Sequence, residues 1–467
     1  MSGLLHKGME LRTRSLPEHV QRPNRQASHG GRYTLSSPPP TCKRSPLPLI
    51  AALVASAALL FLAAFLVVGA FDDSSALFDE TPGTAQTSTP ADLSTSDGAN
   101  ATERSESDTA DTETLSTDSS AIESPISAIL EILTIEQKIG QRFITWVDGT
   151  TVTAETGRMI RDGFVGGVIL YPWNIDSSDQ VRTLIDDLQA VAARNKPAID
   201  LFVSVDREGG RVSAVRLDDT VRLPAAHHWA QHDDEEFVSA AAYLASRELR
   251  SLGFNMNFAP VLDLYAEPDS TIIGDRSFGA DPETVGRYGI RYIDSAERAG
   301  VIPVVKHFPG HGVTTVDSHG ALPVVDKDTD MLRNGALRPF VRAIEHGAPA
   351  IMTAHILFTA LDADYPATLS GPILKDLLRD ELGFDGVVVS DGMSMRALSA
   401  HYSEREMIKR MFHAEVDIML AHNEYDVLEL IDIALDLYRE GEITREQIES
   451  GARRVLELKH ERNLLPD

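Results

Sequence analysis

The sequence predicts an α/β chain whose folded part, residues 125–467, is a single TIM-type (β/α)8 barrel. Short apolar runs rich in Val, Ile and Phe recur there: Phe143–Val147, Gly167–Tyr171, Leu201–Asp206, Asn255–Asp263, Ile302–Phe308, Ala350–Ile356, Gly386–Asp391 and Asp417–Ala421. Most of the gaps hold stretches of helical period, such as Ser178–Arg194, Glu235–Leu252, Pro282–Ala299 and Met331–Glu345. The runs are continuously apolar rather than alternating, as strands buried on both faces by flanking helices must be. A doubly wound open sheet produces a similar pattern and stands as the alternative.

The third observation is where the polar residues fall. Asp206, Asp263, Lys306 with His307, His355, and Ser390 with Asp391 sit at the ends of five runs. In a parallel barrel those ends, and the loops after them, build the active site. A single one of them could cap the following helix instead, which is the bland reading for Ser390 or Asp263. Five strands pointing at one place read as a site.

Two regions precede the barrel. Leu49–Phe71 is a run of 23 residues interrupted only by Ser56, and a bilayer core of about 30 Å needs about 20 residues of helix. Lys43 and Arg44 precede it and Asp72 and Asp73 follow. The positive-inside rule then puts residues 1–48 in the cytoplasm and the rest on the periplasmic or extracellular side, as a single-pass signal anchor in the inner (plasma) membrane. A cleaved signal peptide is the rival, with a shorter apolar core as its usual mark. Residues 72–124 hold 13 acids, one base (Arg104) and few large apolar side chains. Such a segment cannot bury enough surface to offset ordering, so it is expected to be a disordered linker. Asn100-Ala101-Thr102 matches a glycosylation acceptor, a motif short enough to arise by chance.

Charge separates these regions and excludes one class of partner. The first 48 residues carry eight Lys/Arg against two Asp/Glu, and the remainder 35 against 68. A surface that neutralises phosphates needs clustered bases, so no nucleic-acid partner is expected. The one cysteine, Cys42, precedes the apolar run, so no internal disulfide forms and the core must supply stability unaided.

The most distinctive stretch is Lys306-His307-Phe308-Pro309-Gly310-His311-Gly312, followed by Asp317-Ser318-His319. Proline and two glycines make it a turned loop. Its histidines invite a metal reading, but no cysteine or paired-histidine helix motif assists it and Lys306 would repel a cation, so no metal and no cofactor are expected. Asp317 and His319 read better as a dyad, because a carboxylate orients an imidazole and stabilises its protonated form.

Together with Asp206-Arg207-Glu208-Gly209-Gly210-Arg211-Val212, Asn257–Asp263, Ile273–Gly279 and Val389-Ser390-Asp391, this stretch resembles the bacterial β-N-acetylglucosaminidases of glycoside hydrolase family 3. The likeness runs from about residue 126 to the end. It implies a barrel without the second, sandwich domain of many relatives, acting on carbohydrate. It also implies Asp391 as nucleophile, His319 with Asp317 as acid/base, and Asp206, Arg276, Lys306 and His307 as sugar-binding residues. Two departures stand out. An arginine common shortly after the Gly-Gly-Arg-Val run is replaced by Ser213-Ala214-Val215, with Arg216 next as a candidate substitute, and Gly392-Met393 differ from the residues usual after the nucleophile.

The physical reading agrees with the resemblance. Retaining glycosidases need one carboxylate to attack the anomeric carbon and a second group to protonate the leaving oxygen and then deprotonate water. Histidine exchanges protons both ways near neutrality. Asp391 is expected to stay ionised beside Lys306 and Arg276. Asp206 could instead form a structural pair with Arg211. Trp146, Trp173 and Trp229 could stack on sugars or fill the core. The expected reaction is removal of terminal β-linked N-acetylglucosamine from peptidoglycan fragments or chito-oligosaccharides. The rivals are a β-glucosidase, a phosphorylase using phosphate in place of water, and a glycan-binding module without catalysis.

Overall fold

The computed structural model describes residues 125–265, 272–314 and 316–466. The apolar run 49–71 and the acidic segment 72–124 lie outside them, and among the described residues no helix is long and apolar enough to cross a membrane. The barrel strands are β1 Phe143–Trp146, β2 Gly167–Leu170, β3 Phe202–Val205, β4 Met256–Asn257, β5 Ile302–Phe308, β6 Ala350–Thr353, β7 Val387–Val389 and β8 Met419–Ala421. They pair in parallel in the order β7-β6-β5-β4-β3-β2-β1-β8. A parallel bridge from Val389 to Ile418 brings the two ends of the sheet together, so the barrel closes and the open-sheet alternative falls.

Every β-to-β connection carries a helix: α1 Ala154–Arg161, α2 Ser178–Ala192, α3 Glu235–Ser251, α4 Pro282–Arg298, α5 Arg338–Glu345, α6 Pro372–Glu381 and α7 Glu404–His413, with α8 Val427–Arg439 after β8. Their starts are written in the sequence. Ser177, Asp234, Asp281, Ser403 and Asp426 each accept a backbone N–H of the first helical turn, which satisfies donors the helix itself leaves unpaired.

The continuous apolar runs split into two cores by strand alternation. Ile144, Ile169, Phe202, Met256, Val304, Met352, Val389 and Leu420 fill the barrel interior. Phe143, Val168, Val203, Val305, Ile351, Val388 and Met419 face the helix ring. The C-terminal helix Arg445–Glu461 adds Val455 and Leu458 to the interior core.

Two expected elements are shorter than the sequence suggests. The run Asn255–Asp263 is regular strand only at β4, since Pro260 has no N–H to continue a ladder. Met331–Glu345 is two helices, Thr329–Asn334 and α5, parted at Gly335. At the β7–β8 seam, where pairing is sparse, the buried Asp417 carboxylate accepts the Val388 N–H at 2.8 Å, Arg379 at 2.6 Å and Arg454 at 2.9 Å. That buried ionic joint holds the strand that leads to Asp391.

Candidate active site

The C-terminal mouth of the barrel gathers most of the residues singled out in the sequence. A cavity of about 190 Å³ is lined by Asp206, Arg276, Lys306, His307, His319 and Asp391, joined by Glu208, His311 and Ser318. Arg216 is not brought there. Its guanidinium turns back on its own loop, donating to the carbonyls of Ser213 at 2.9 Å and Arg211 at 2.6 Å. It lines a neighbouring cavity of about 550 Å³ that shares Asp206 and Val212 with the first.

One wall of the site is an alternating charge network. The Lys306 ammonium lies 2.7 Å from both Asp206 and Glu208, and Arg276 grips Glu208 with two bonds of 2.7 and 2.8 Å. Glu208 is presented by the hairpin Arg207–Gly209 and Val212–Ser213. Its turn needs Gly209 and Gly210, both at positive φ (98° and 56°). Burial alone would raise the Glu208 carboxyl, but Arg276 and Lys306 hold it down to about 2. Burial alone would lower Lys306, yet Asp206 and Glu208 keep it above its ordinary value. Arg211 pairs with Asp275 at 3.4 Å, so Asp206 belongs to the charged wall through Lys306 and not to a pair with Arg211.

Asp391 lies two residues beyond the end of β7 and accepts the Gly392 N–H at 2.8 Å. Burial pushes its carboxyl up, and His355, His307, the Gly392 N–H and Lys306 together bring it down to about 2. The expectation of an ionised Asp391 beside Lys306 holds, with a different second partner. Arg276 is committed to Glu208, and the larger contributions come from two histidines. Ser390 does not cap a helix: its hydroxyl accepts the Leu420 N–H at 2.9 Å across the seam.

Asp263 is not a cap either. It accepts the backbone N–H groups of His307 (3.2 Å) and His311 (2.6 Å) and lies 2.6 Å from the His307 ring. It therefore shapes the Lys306–Gly312 loop from beneath, and Gly312 passes so close that an added Cβ would sit 1.9 Å from the Leu264 carbonyl. His355 is fully buried, held between Thr368 at 2.7 Å and the Gly392 carbonyl at 2.9 Å. Burial lowers its affinity for a second proton while Asp391 opposes that shift, and the ring braces the loop that follows Asp391.

The dyad forms as expected. Asp317 Oδ1 accepts both the backbone N–H of His319 and its ring Nδ1, each at 2.9 Å. This leaves the other ring nitrogen for chemistry. Unlike the wall, the pair is open, with side chains 55% and 73% exposed. Of the tryptophans, Trp229 is core, whereas Trp173 is 47% exposed and stacks on Tyr171 at 4.5 Å.

Glu208 and the bracing roles of Asp263 and His355 were not assigned from sequence. Glu208 had a usable signal, since two buried cations at one site require more than one counter-charge.

The glycosyl hydrolase family 3 N-terminal domain matches residues 134–458. Beta-hexosaminidase A of Pseudoalteromonas piscicida is 34% identical over 333 residues, covering 66% of this chain and 56% of that protein. The beta-hexosaminidase of Pseudomonas aeruginosa is 36% identical over 290 residues, covering 62% of this chain and 84% of its own. Thus the chain spans little more than half of the first relative and most of the second. Among solved structures, a family 3 β-N-acetylglucosaminidase from Paenibacillus superposes with a TM-score of 0.69 at 38% identity, covering 71% of this chain and 63% of that one. A β-N-acetylhexosaminidase from Beutenbergia cavernae gives 0.66 at 30%, covering 70% and 99%. With the barrel, the Lys306–Gly312 loop and these matches in hand, the chain belongs to glycosyl hydrolase family 3.

Proposed function

We propose that the protein is a retaining β-N-acetylhexosaminidase that removes terminal β-linked N-acetylglucosamine from wall fragments or chito-oligosaccharides. The observation that carries this reading is one cavity holding an ionised Asp391 and a carboxylate-oriented His319. Asp206, Arg276, Lys306 and His307 grip the sugar hydroxyls, and Asp391 attacks the anomeric carbon. His319 first protonates the departing oxygen, and Asp317 stabilises the imidazolium before that step and after water is deprotonated. Two inversions give net retention. The activities of the relatives, beta-hexosaminidase and β-N-acetylglucosaminidase, favour an N-acetylated sugar over glucose. In this reading residues 49–71 anchor the enzyme in the plasma membrane and residues 72–124 tether the barrel outside it, where wall glycans lie.

Trapping with a fluorinated N-acetylglucosaminyl fluoride followed by peptide mass spectrometry tests the mechanism. A sugar on the peptide containing Asp391 is expected. A label on another carboxylate, or an inverted product by proton NMR, overturns the assignment.

A further inference from the structure

Asp317 and His319 stand on a tight turn, closed by the Gly320 N–H to the Asp317 carbonyl at 3.0 Å. Their side chains are more than half exposed, so packing cannot fix them. Ser318, between them, points inward and is only 2% exposed. It is held at two atoms from two different segments. Its hydroxyl lies 3.2 Å from Nε2 of the buried His311, and its carbonyl accepts the Ala397 N–H at 3.1 Å.

Both anchors lead back to the reacting groups. His311 belongs to the Lys306–Gly312 loop and is pinned by its N–H to Asp263 at 2.6 Å. Ala397 is fully buried in the short helix Arg396–Ser399, just after Asp391. We propose that Ser318 is a positioning residue that locks the acid/base dyad to the nucleophile's own loop, with His311 and Ala397 as the two fixed points. The inference rests on reading Asp391 and the Asp317–His319 pair as the catalytic groups.

The chemistry of His311 suits the task. Burial and the neighbouring His307 bring its ring down to about 4, so near neutral pH it is an uncharged partner. It can hold a hydroxyl without competing with His319 for the charge of Asp317. Its Nδ1 is buried and has no protein partner among the described residues. The contact to Ser318 is therefore its only side-chain hydrogen bond among them, and replacing the ring with phenylalanine removes that bond while keeping a ring beside His307. A proton-transfer group misplaced by a fraction of an ångström loses rate wherever the proton matters and nowhere else.

That selectivity supplies the test. Full-length wild type, Ser318→Ala, Ser318→Thr, His311→Phe and His319→Ala are compared on diacetylchitobiose and on a dinitrophenyl N-acetylglucosaminide, whose leaving group departs without protonation. Ser318→Ala and His311→Phe are each expected to slow the disaccharide about tenfold and the activated substrate less than about twofold. Ser318→Thr should recover the loss. The two variants attack one bond from opposite sides, so either alone suffices if the other does not fold. Losses that are equal on both substrates, or absent on both, overturn the positioning role when His319→Ala itself depends on the leaving group. A His319→Ala loss independent of the leaving group overturns the dyad assignment beneath it.

Discussion

The two halves of the site are built on opposite principles. In the wall, Lys306, Glu208 and Arg276 have side chains 3, 3 and 13% exposed, and their ion pairs are no longer than 2.8 Å. The dyad, of which His319 lines the same cavity, has side chains 55 and 73% exposed on a turn held mainly through Ser318. In the proposed reading, the difference follows from the work each must do. A wall that binds neutral hydroxyls gains from fixed, fully paired charges, since no reorganisation is then needed when substrate arrives. A nucleophile must never be protonated, and Asp391 is placed among groups that favour its charge. An acid/base must exchange protons with water in every cycle, which a sealed site would prevent.

The largest effect should come from the exposed half. His319→Ala is expected to slow poor leaving groups roughly 100 to 10,000-fold, the range for a lost general acid/base. Because the ring is mostly in solvent, the urea unfolding midpoint should barely move. A large stability loss would show that the dyad is structural and that the contrast drawn above is false.

Next in size is the buried half, tested by Glu208→Gln. The amide keeps the shape but leaves Lys306 and Arg276 facing each other with one carboxylate fewer, and breaking a buried ion pair costs about 3–5 kcal/mol. The sign of its pH dependence is fixed. Glu208 titrates at about 2 when folded against an ordinary 4.5. A depressed acid stabilises fully above its unfolded value and loses that contribution as pH falls through the folded one. Wild type should therefore lose this stability between about pH 4.5 and 2, and the variant should lack that part of the slope. Denaturant melts across that range measure it. A variant as stable as wild type would mean the wall is not prebuilt by ionic pairing.

The contrast also explains what could be read from sequence. The barrel was legible because burial on both strand faces leaves continuous apolar runs, and the dyad because Asp317 and His319 are two residues apart. Asp391 stood out only as one of several polar strand ends, and its role as nucleophile came from the family resemblance. What escaped was long-range partnership. The pairing of Glu208 with Arg276 and Lys306 joins three segments far apart in sequence, and the brace from His355 to the Gly392 carbonyl joins two more. Neither leaves a local pattern. Arg216 shows the converse: the resemblance offered it as a substitute for an absent sugar-binding arginine, and in the structure its donors serve carbonyls of its own loop.

The smallest effect on folding should come from Asp317→Asn, and it isolates charge from geometry. One oxygen of Asp317 accepts both the backbone N–H and the ring N–H of His319. An asparagine carbonyl can accept the same two bonds, so the turn and the ring orientation survive and only the negative charge is removed. Solvent-exposed pairs of this kind contribute about 0–1 kcal/mol to stability, so the unfolding midpoint should shift by no more than that. The rate should respond differently. A neutral amide orients the imidazole but does not stabilise the imidazolium that donates to the leaving oxygen and re-forms on deprotonating water. Diacetylchitobiose should be slowed by at least about tenfold and a dinitrophenyl glycoside much less, within the span set by His319→Ala. If Asp317→Asn turns over the disaccharide like wild type, orientation alone suffices, and the carboxylate serves to hold His319 rather than to charge it.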